Sequence, residues 1–152
     1  MRLRLMTLAA ISAASLAAVA SQASAQGYAS RQYYSGWQTQ PKLGYNYRLY
    51  YHKPTPSYSG YRHHYVIQTP KDPQHYYYYN PYKKSYWGRC PVSTQGKPLY
   101  SLLAEKDRRE QLDDIPASAF PPPGPTPPIP DSSDGAVLDL PPDDLPAASV
   151  PR

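Results

Sequence analysis

Aromatic and basic side chains alternate closely near the middle of the chain, and these residues have the clearest capacity for binding chemistry. They are Tyr82, Lys83, Lys84, Tyr86, Trp87 and Arg89. Tyrosine and tryptophan rings stack on the faces of sugars or bases, whereas lysine and arginine neutralise anionic groups. The pattern therefore predicts contact with an acidic polysaccharide or a cell-wall glycan. Nucleic acid is the less favoured partner.

A single cysteine, Cys90, follows this cluster directly. With one cysteine the chain has no internal disulfide, which leaves two interpretations. Cys90 forms a disulfide with another molecule, or it is a small buried residue on a strand. The neighbouring Trp87 and Gly88 resemble packing residues and favour the buried interpretation.

Metal and calcium chemistry has only weak support. The four histidines are His52, His63, His64 and His75. The pair His63-His64 offers two imidazoles to copper or zinc, but structural sites usually take four ligands at defined spacing. We therefore expect surface histidines and no metal. The aspartates of residues 131–135 do not fall at the offsets of a calcium-binding loop, so this stretch predicts a turn.

Catalytic motifs are absent from the sequence. Serine and histidine occur without a Gly-x-Ser-x-Gly elbow. Glu105 and Glu110 fall on a predicted helix, where Arg109 and Lys106 pair with them. The sequence therefore predicts a protein that is not an enzyme and needs no cofactor.

The first 25 residues read as a secretory signal peptide. Arg2 and Arg4 precede a small-residue apolar run, and Ala23-Ser24-Ala25 forms a cleavage site. The run is shorter than the roughly 20 apolar residues that a membrane span needs. We expect the mature chain to begin at Gln26, without a membrane span, in the periplasm, at the cell surface or in the medium.

Two compositions divide the remaining chain. All seventeen tyrosines lie between Tyr28 and Tyr100, and twelve of the twenty prolines lie between Pro116 and Pro151. Charge divides similarly: residues 26–100 hold ten basic residues and one acid (+9), and residues 101–152 hold four basic and ten acidic residues (−6). The two parts are expected to attract each other, within one chain or between chains.

Sparse aliphatic residues argue against one packed core. Between residues 26 and 88 the large aliphatics are Leu43, Leu49, Val66 and Ile67. These are too few to offset an ordering cost of about 1–2 kcal/mol for each residue. The predicted fold class is therefore a mostly disordered or extended chain with one small β-rich module. Residues 26–74 form a basic, tyrosine-rich low-complexity region, and residues 116–152 form a disordered tail rich in proline and aspartate.

The predicted module spans residues 75–115. Tyr76–Tyr79 and Ser85–Cys90 read as the strands of a β-hairpin, because Asn80-Pro81 between them is a turn signal. After a second turn at Gly96, Leu99–Leu103 supplies a third strand or enters a short helix over Leu102–Leu112.

Several segments resemble a group of small secreted bacterial proteins of unknown function that are rich in tyrosine and proline. The similar segments are Asn80–Pro91, Tyr100–Arg108, Ile115-Pro116, Ala119-Phe120-Pro121 and Ile129–Gly135. The resemblance implies no activity, and no functional residue is carried over from it.

These observations lead to one expectation and its alternatives. We expect a small exported protein, not an enzyme, that acts through interactions in the cell envelope or extracellular matrix. The alternative is a dedicated glycan-binding module that uses the aromatic and basic cluster. Tyrosine contacts between molecules would instead give a self-associating matrix material. Adhesive chemistry after tyrosine oxidation, which needs a separate oxidase, is a third alternative.

Overall fold

A computed structural model describes residues 30–93 and 96–144, and most of its regular structure is β-sheet. The strands are β1 (Gln32–Tyr34), β2 (Gln38–Gln40), β3 (Tyr45–His52), β4 (Arg62–Thr69), β5 (Asp72–Asn80), β6 (Ser85–Pro91) and β7 (Ser101–Leu102). Three one-turn 3-10 helices follow, at Glu105–Asp107, Leu112–Asp114 and Ala117–Ala119. Among the described residues, no helix is long and apolar enough to cross a membrane. The expected signal peptide lies outside them.

All strand pairs are antiparallel, in the order β1-β3-β4-β5-β6-β7, and β2 also pairs with β3. Short turns join β2 to β3, β4 to β5 and β5 to β6. In the β5–β6 turn, Asn80 Oδ1 accepts hydrogen bonds from the backbone N–H groups of Tyr82 and Lys83. This is an Asx turn, the local bond that makes Asn-Pro a turn signal. The predicted hairpin is therefore confirmed.

Alternation along the strands gives the sheet two different faces. The face that we call the inner face buries the core, in which five of the eight buried members are aromatic. Its buried members are Tyr50, Val66, Tyr76, Tyr78, Trp87, Cys90, Tyr100 and Leu138. A bulge between β5 and β6 pairs Tyr78 with Gly88 but Tyr79 with Tyr86, which leaves Trp87 as the extra residue.

Residues 121–144, called here the C-terminal segment, cover the inner face. Ile129 and Leu138 are buried, at 1% and 2% exposure. Tyr100 and Gly124 form an isolated β-bridge, and so do Pro128 and Val137. Prolines suit this path, because an extended segment over a sheet needs few backbone donors.

Three ion pairs join the C-terminal segment to the sheet. They are Arg31–Asp134 at 2.6 Å, Arg48–Asp144 at 2.7 Å and Arg62–Asp131 at 3.3 Å. The indole of Trp37 also donates to the carbonyl of Asp144 at 2.6 Å. The attraction predicted from the division of charge is thus present within one chain.

The predicted fold class is wrong. The described residues, 30–93 and 96–144, form a well-ordered seven-stranded antiparallel sheet with almost no helix, not a mostly disordered chain. The prediction counted aliphatic side chains, but five tyrosines are also buried in the core: Tyr50, Tyr76, Tyr77, Tyr78 and Tyr100. Several of their hydroxyls find partners, as in the contact between Tyr34 and Tyr78 at 2.7 Å.

The predicted helix over residues 102–112 is also wrong. Ser101 pairs as a strand residue, and its hydroxyl donates to the carbonyl of Pro121 at 2.6 Å instead of capping a helix. Burial of Leu103 holds the following chain against the sheet. One 3-10 turn, Glu105–Asp107, lies in this stretch, and the next begins at its last residue, Leu112.

Candidate functional site

The outer face of the sheet carries a group of partly exposed rings, which we call the outer tyrosine surface. It consists of Tyr33, Tyr47, Tyr51, Tyr61, His63, Tyr65, Tyr79 and Tyr86. On β3, Tyr47 and Tyr51 alternate with the buried Arg48, Tyr50 and His52. Alternation therefore places these rings on the face opposite the C-terminal segment. Tyr33 is 43% exposed and the other members are half-buried.

The rings contact one another in an unbroken path across five strands. From β1 to β6 the centroid separations are 4.7 Å (Tyr33–Tyr51), 6.2 Å (Tyr51–His63), 5.7 Å (His63–Tyr65), 6.4 Å (Tyr65–Tyr79) and 5.0 Å (Tyr79–Tyr86). Five strands at about 4.8 Å spacing give the path a length of roughly 19 Å. A single molecule must be extended to contact all of it.

The phenol hydroxyls of Tyr33, Tyr79 and Tyr86 are neutral hydrogen-bonding groups. Burial raises the pKa of Tyr86 to about 12. Burial also raises the pKa of Tyr79. It raises the pKa of Tyr33 too, where Tyr51 and Tyr61 have smaller effects in the same direction. A neutral phenol both donates and accepts hydrogen bonds. The surface therefore combines apolar ring area with polar groups that suit a hydroxylated ligand.

The unpaired positive charge of the sheet region lies on lysines, because the arginines of the sheet form ion pairs. Arg31, Arg48 and Arg62 each pair with an aspartate of the C-terminal segment. Five lysines of the sheet region make no ion pair within the part of the chain that the structure describes: Lys42, Lys53, Lys83, Lys84 and Lys97. The Lys53 ammonium lies 4.9 Å from the centroid of the Tyr61 ring, so positive charge borders the outer tyrosine surface directly.

The six residues that the sequence singled out do not form one site. Tyr82, Lys83 and Lys84 are exposed in the β5–β6 turn, where the Tyr82 ring stacks on the Arg62 guanidinium at 4.2 Å. Tyr86 belongs to the outer tyrosine surface. Trp87 is 6% exposed and lies on the inner face.

Arg89, the sixth, lies in a covered part of the outer face. Its guanidinium is 4.3 Å from the Phe120 ring centroid and 3.8 Å from Asp72. Tyr77 and His75 form hydrogen bonds with the Asp72 carboxylate. Burial alone would raise the pKa of Asp72, but these hydrogen bonds outweigh it and the pKa is lowered. Residues 103–120 pack over this part through a cluster that includes Leu103 and Phe120. Arg89 therefore supports packing in this structure.

Of the two interpretations of Cys90, the structure supports the buried residue. The residue is 1% exposed and forms no disulfide. Burial raises the pKa of the thiol to about 12. A disulfide with another molecule would require the sulfur to reach the surface.

Two of the histidines are buried, so the expectation of surface histidines is wrong for them. His52 and His64 are 0% and 1% exposed, with ring centroids 4.9 Å apart. Burial lowers their pKa values to about 4 and about 3. Among the described residues, no three His, Cys, Asp or Glu side chains are grouped to hold a metal ion. Residues 131–135 form a turn, and Asp131 and Asp134 bind arginines there.

Sequence reasoning missed the outer tyrosine surface, although a signal for it was present. Aromatic residues recur at a spacing of two at Tyr45 and Tyr47 and at Tyr61, His63 and Tyr65. That spacing places the rings on one face of a strand. The surface forms only when this strand pairs with strands from distant parts of the chain.

Comparisons with protein-family models, with curated proteins and with solved structures find no match to this chain. Its function is therefore inferred from the side chains themselves.

Proposed function

We propose that this is an exported, non-enzymatic protein that binds an anionic polysaccharide of the cell envelope or extracellular matrix through the outer tyrosine surface. The observation that carries the proposal is the unbroken path of partly exposed rings across five strands. Sugar rings present apolar C–H faces that stack on aromatic rings, and their hydroxyls find partners in the phenol groups.

The length of the ring path favours a polymer over a small molecule. Small ligands bind in concave pockets that bury most of their area. A ring path of roughly 19 Å, built on strands about 4.8 Å apart, instead offers repeated contacts along an extended chain. Each contact is weak, and a repeating ligand gains affinity by making several at once.

The unpaired lysines favour an anionic polymer. Lys53 borders the rings, and Lys84 is exposed in the turn that precedes Tyr86. Exposed charges steer an oppositely charged ligand, and salt screens them over about 8–10 Å. Binding should therefore weaken as salt is raised.

Self-association is the competing function, and the edges of the sheet do not favour it. The edge strands β1 and β2 have three residues each, and β7 has two. Short edge strands offer little backbone for pairing with another chain. Association would have to use the rings themselves.

A titration with two polysaccharides tests the proposal. Polygalacturonate is the anionic probe and dextran is the neutral one, and isothermal titration calorimetry measures both at low and high salt. The proposal predicts salt-sensitive binding of polygalacturonate and weaker binding of dextran. Absence of binding to both polymers, with oligomers that grow with concentration in sedimentation, would favour self-association instead.

A further inference from the structure

We propose that a small cavity on the inner face binds one carboxylate-bearing sugar or a similar hydroxy acid. The cavity has a volume of about 230 Å³. His64, Trp87 and Ile129 form its buried walls, and Lys83 and Arg108 lie among its more exposed lining residues. The site goes beyond the proposed function, because it lies on the opposite face of the sheet from the outer tyrosine surface.

Four of the unpartnered polar atoms in the described structure belong to residues that line this cavity. Both ring nitrogens of His64, the indole nitrogen of Trp87 and the hydroxyl of Ser132 are buried without a hydrogen-bond partner among the described residues. All three residues line the cavity. Buried polar groups in folded proteins are almost always hydrogen-bonded. These atoms are buried beside the cavity, so a small side-chain movement would bring them within hydrogen-bond distance of an occupant.

The types of these atoms define the ligand. An indole N–H only donates, a neutral imidazole offers one donor and one acceptor, and a serine hydroxyl does both. Burial keeps His64 neutral by lowering its pKa to about 3. A suitable ligand must therefore present donors as well as acceptors, as a hydroxylated molecule does. A simple anion offers acceptors alone.

The positive charge on the cavity lining indicates that the ligand also carries a carboxylate. Lys83 is exposed and makes no ion pair in the described structure, and Arg108 supplies a second positive charge. Asp131 is the lining acid, and Arg62 already pairs with it at 3.3 Å. The net positive charge that remains suits a single anionic group.

The size of the cavity limits the ligand to one sugar unit. Pockets for drug-sized ligands measure about 300–1,000 Å³, and this cavity is smaller at about 230 Å³. A polymer does not fit inside, but a monosaccharide acid does.

The indole N–H resonance of Trp87 provides a direct readout. We would titrate the protein with D-glucuronate, D-glucose and acetate and follow the indole signals by ¹H–¹⁵N NMR, with a Trp37→Phe variant for assignment. Glucuronate should move the Trp87 signal saturably, and glucose and acetate should bind at least tenfold more weakly. Lys83→Gln should weaken glucuronate binding about tenfold, the effect of losing about 1.4 kcal/mol.

Controls separate this site from the outer tyrosine surface and from general loss of fold. Lys42→Gln removes the same charge from an exposed position outside the cavity and should leave glucuronate binding unchanged. Ser132→Ala should weaken glucuronate without affecting polygalacturonate. A Trp87 signal that glucuronate does not move would overturn the proposal, because the cavity would then hold only solvent. Equal binding of acetate would overturn the assignment to a sugar acid.

Discussion

Tyr100 lies across Gly88 and fills the space that a side chain at position 88 would need. A Cβ on Gly88 would lie 2.5 Å from the Tyr100 hydroxyl oxygen and 2.6 Å from the carbonyl oxygen of Ser101. Tyr100 is 2% exposed and stacks on Trp87 at 5.3 Å, so its ring has little room to move. Pairing between β6 and β7 also fixes Ser101.

Gly88→Ala should therefore destabilise the protein. Overpacking of a well-filled core costs about 1–3 kcal/mol, and urea unfolding followed by circular dichroism measures the loss. Gly36→Ala is the matched control, because nothing lies within 4 Å of a Cβ at that position. Equal unfolding midpoints for the two variants would show that the Tyr100 side chain moves aside at little cost in stability.

The ion pair between Arg48 and Asp144 should stabilise the cover of the inner face. The Arg48 side chain is 3% exposed and that of Asp144 is 57% exposed. Asp144→Asn leaves a buried guanidinium with a weaker partner. Solvent already screens Asp144, so we expect a loss of about 1–2 kcal/mol in chemical denaturation. Asp143→Asn makes the same charge change at an exposed neighbour and should have little effect. Equal losses in both variants would argue for a net-charge effect.

Acid should weaken the fold through His52 and His64. Burial lowers the pKa of His52 from 6.5 to about 4 and that of His64 to about 3. At pH values between the lowered pKa and 6.5, the unfolded chain therefore binds more protons than the folded one. Stability is then highest above about pH 6.5 and falls as the pH falls, by on the order of 2–3 kcal/mol for each histidine near pH 4.

Urea midpoints at several pH values check this prediction. In the His52→Leu/His64→Leu double variant the midpoint should fall less steeply with acid than in the wild type. Carboxylates titrate in both proteins and cancel in the comparison. Parallel pH profiles would mean that these imidazoles do not stay neutral in the folded state.

The Cys90 thiol should be unreactive in the folded protein. It is 1% exposed and burial raises its pKa to about 12, so little thiolate forms and reagents do not reach it. Labelling with iodoacetamide should be complete in urea and very slow without it. Rapid labelling of the native protein would restore the interpretation of Cys90 as a partner in an intermolecular disulfide.

Local signals predicted the hairpin, and long-range contacts account for what the sequence did not reveal. Asn80 forms its turn with the next few residues, so a short stretch contains the whole signal. Arg31 and Asp134 are 103 positions apart, and only folding shows that they bind each other. The division of charge predicted such attraction but not its partners.

The candidate sites were predictable to a similar extent. Tyr86 was singled out for its aromatic, basic neighbourhood and does lie on the outer tyrosine surface. Trp87 and Lys83 came from the same cluster but line the inner cavity, because the bulge in β6 turns Trp87 toward the core. Residue type showed the chemistry, and strand register decided the face.

The affinity of a ring-deleted variant for polygalacturonate tests the central claim most directly. Tyr51→Thr/Tyr65→Thr removes two rings from the middle of the path and keeps residues that suit a strand. Aromatic contacts contribute about 0.5–1.5 kcal/mol each, so the dissociation constant measured by calorimetry should rise about tenfold. Tyr58→Thr, which removes an exposed ring outside the path, should bind as the wild type does. A folded double variant with wild-type affinity would contradict polysaccharide binding by the outer tyrosine surface.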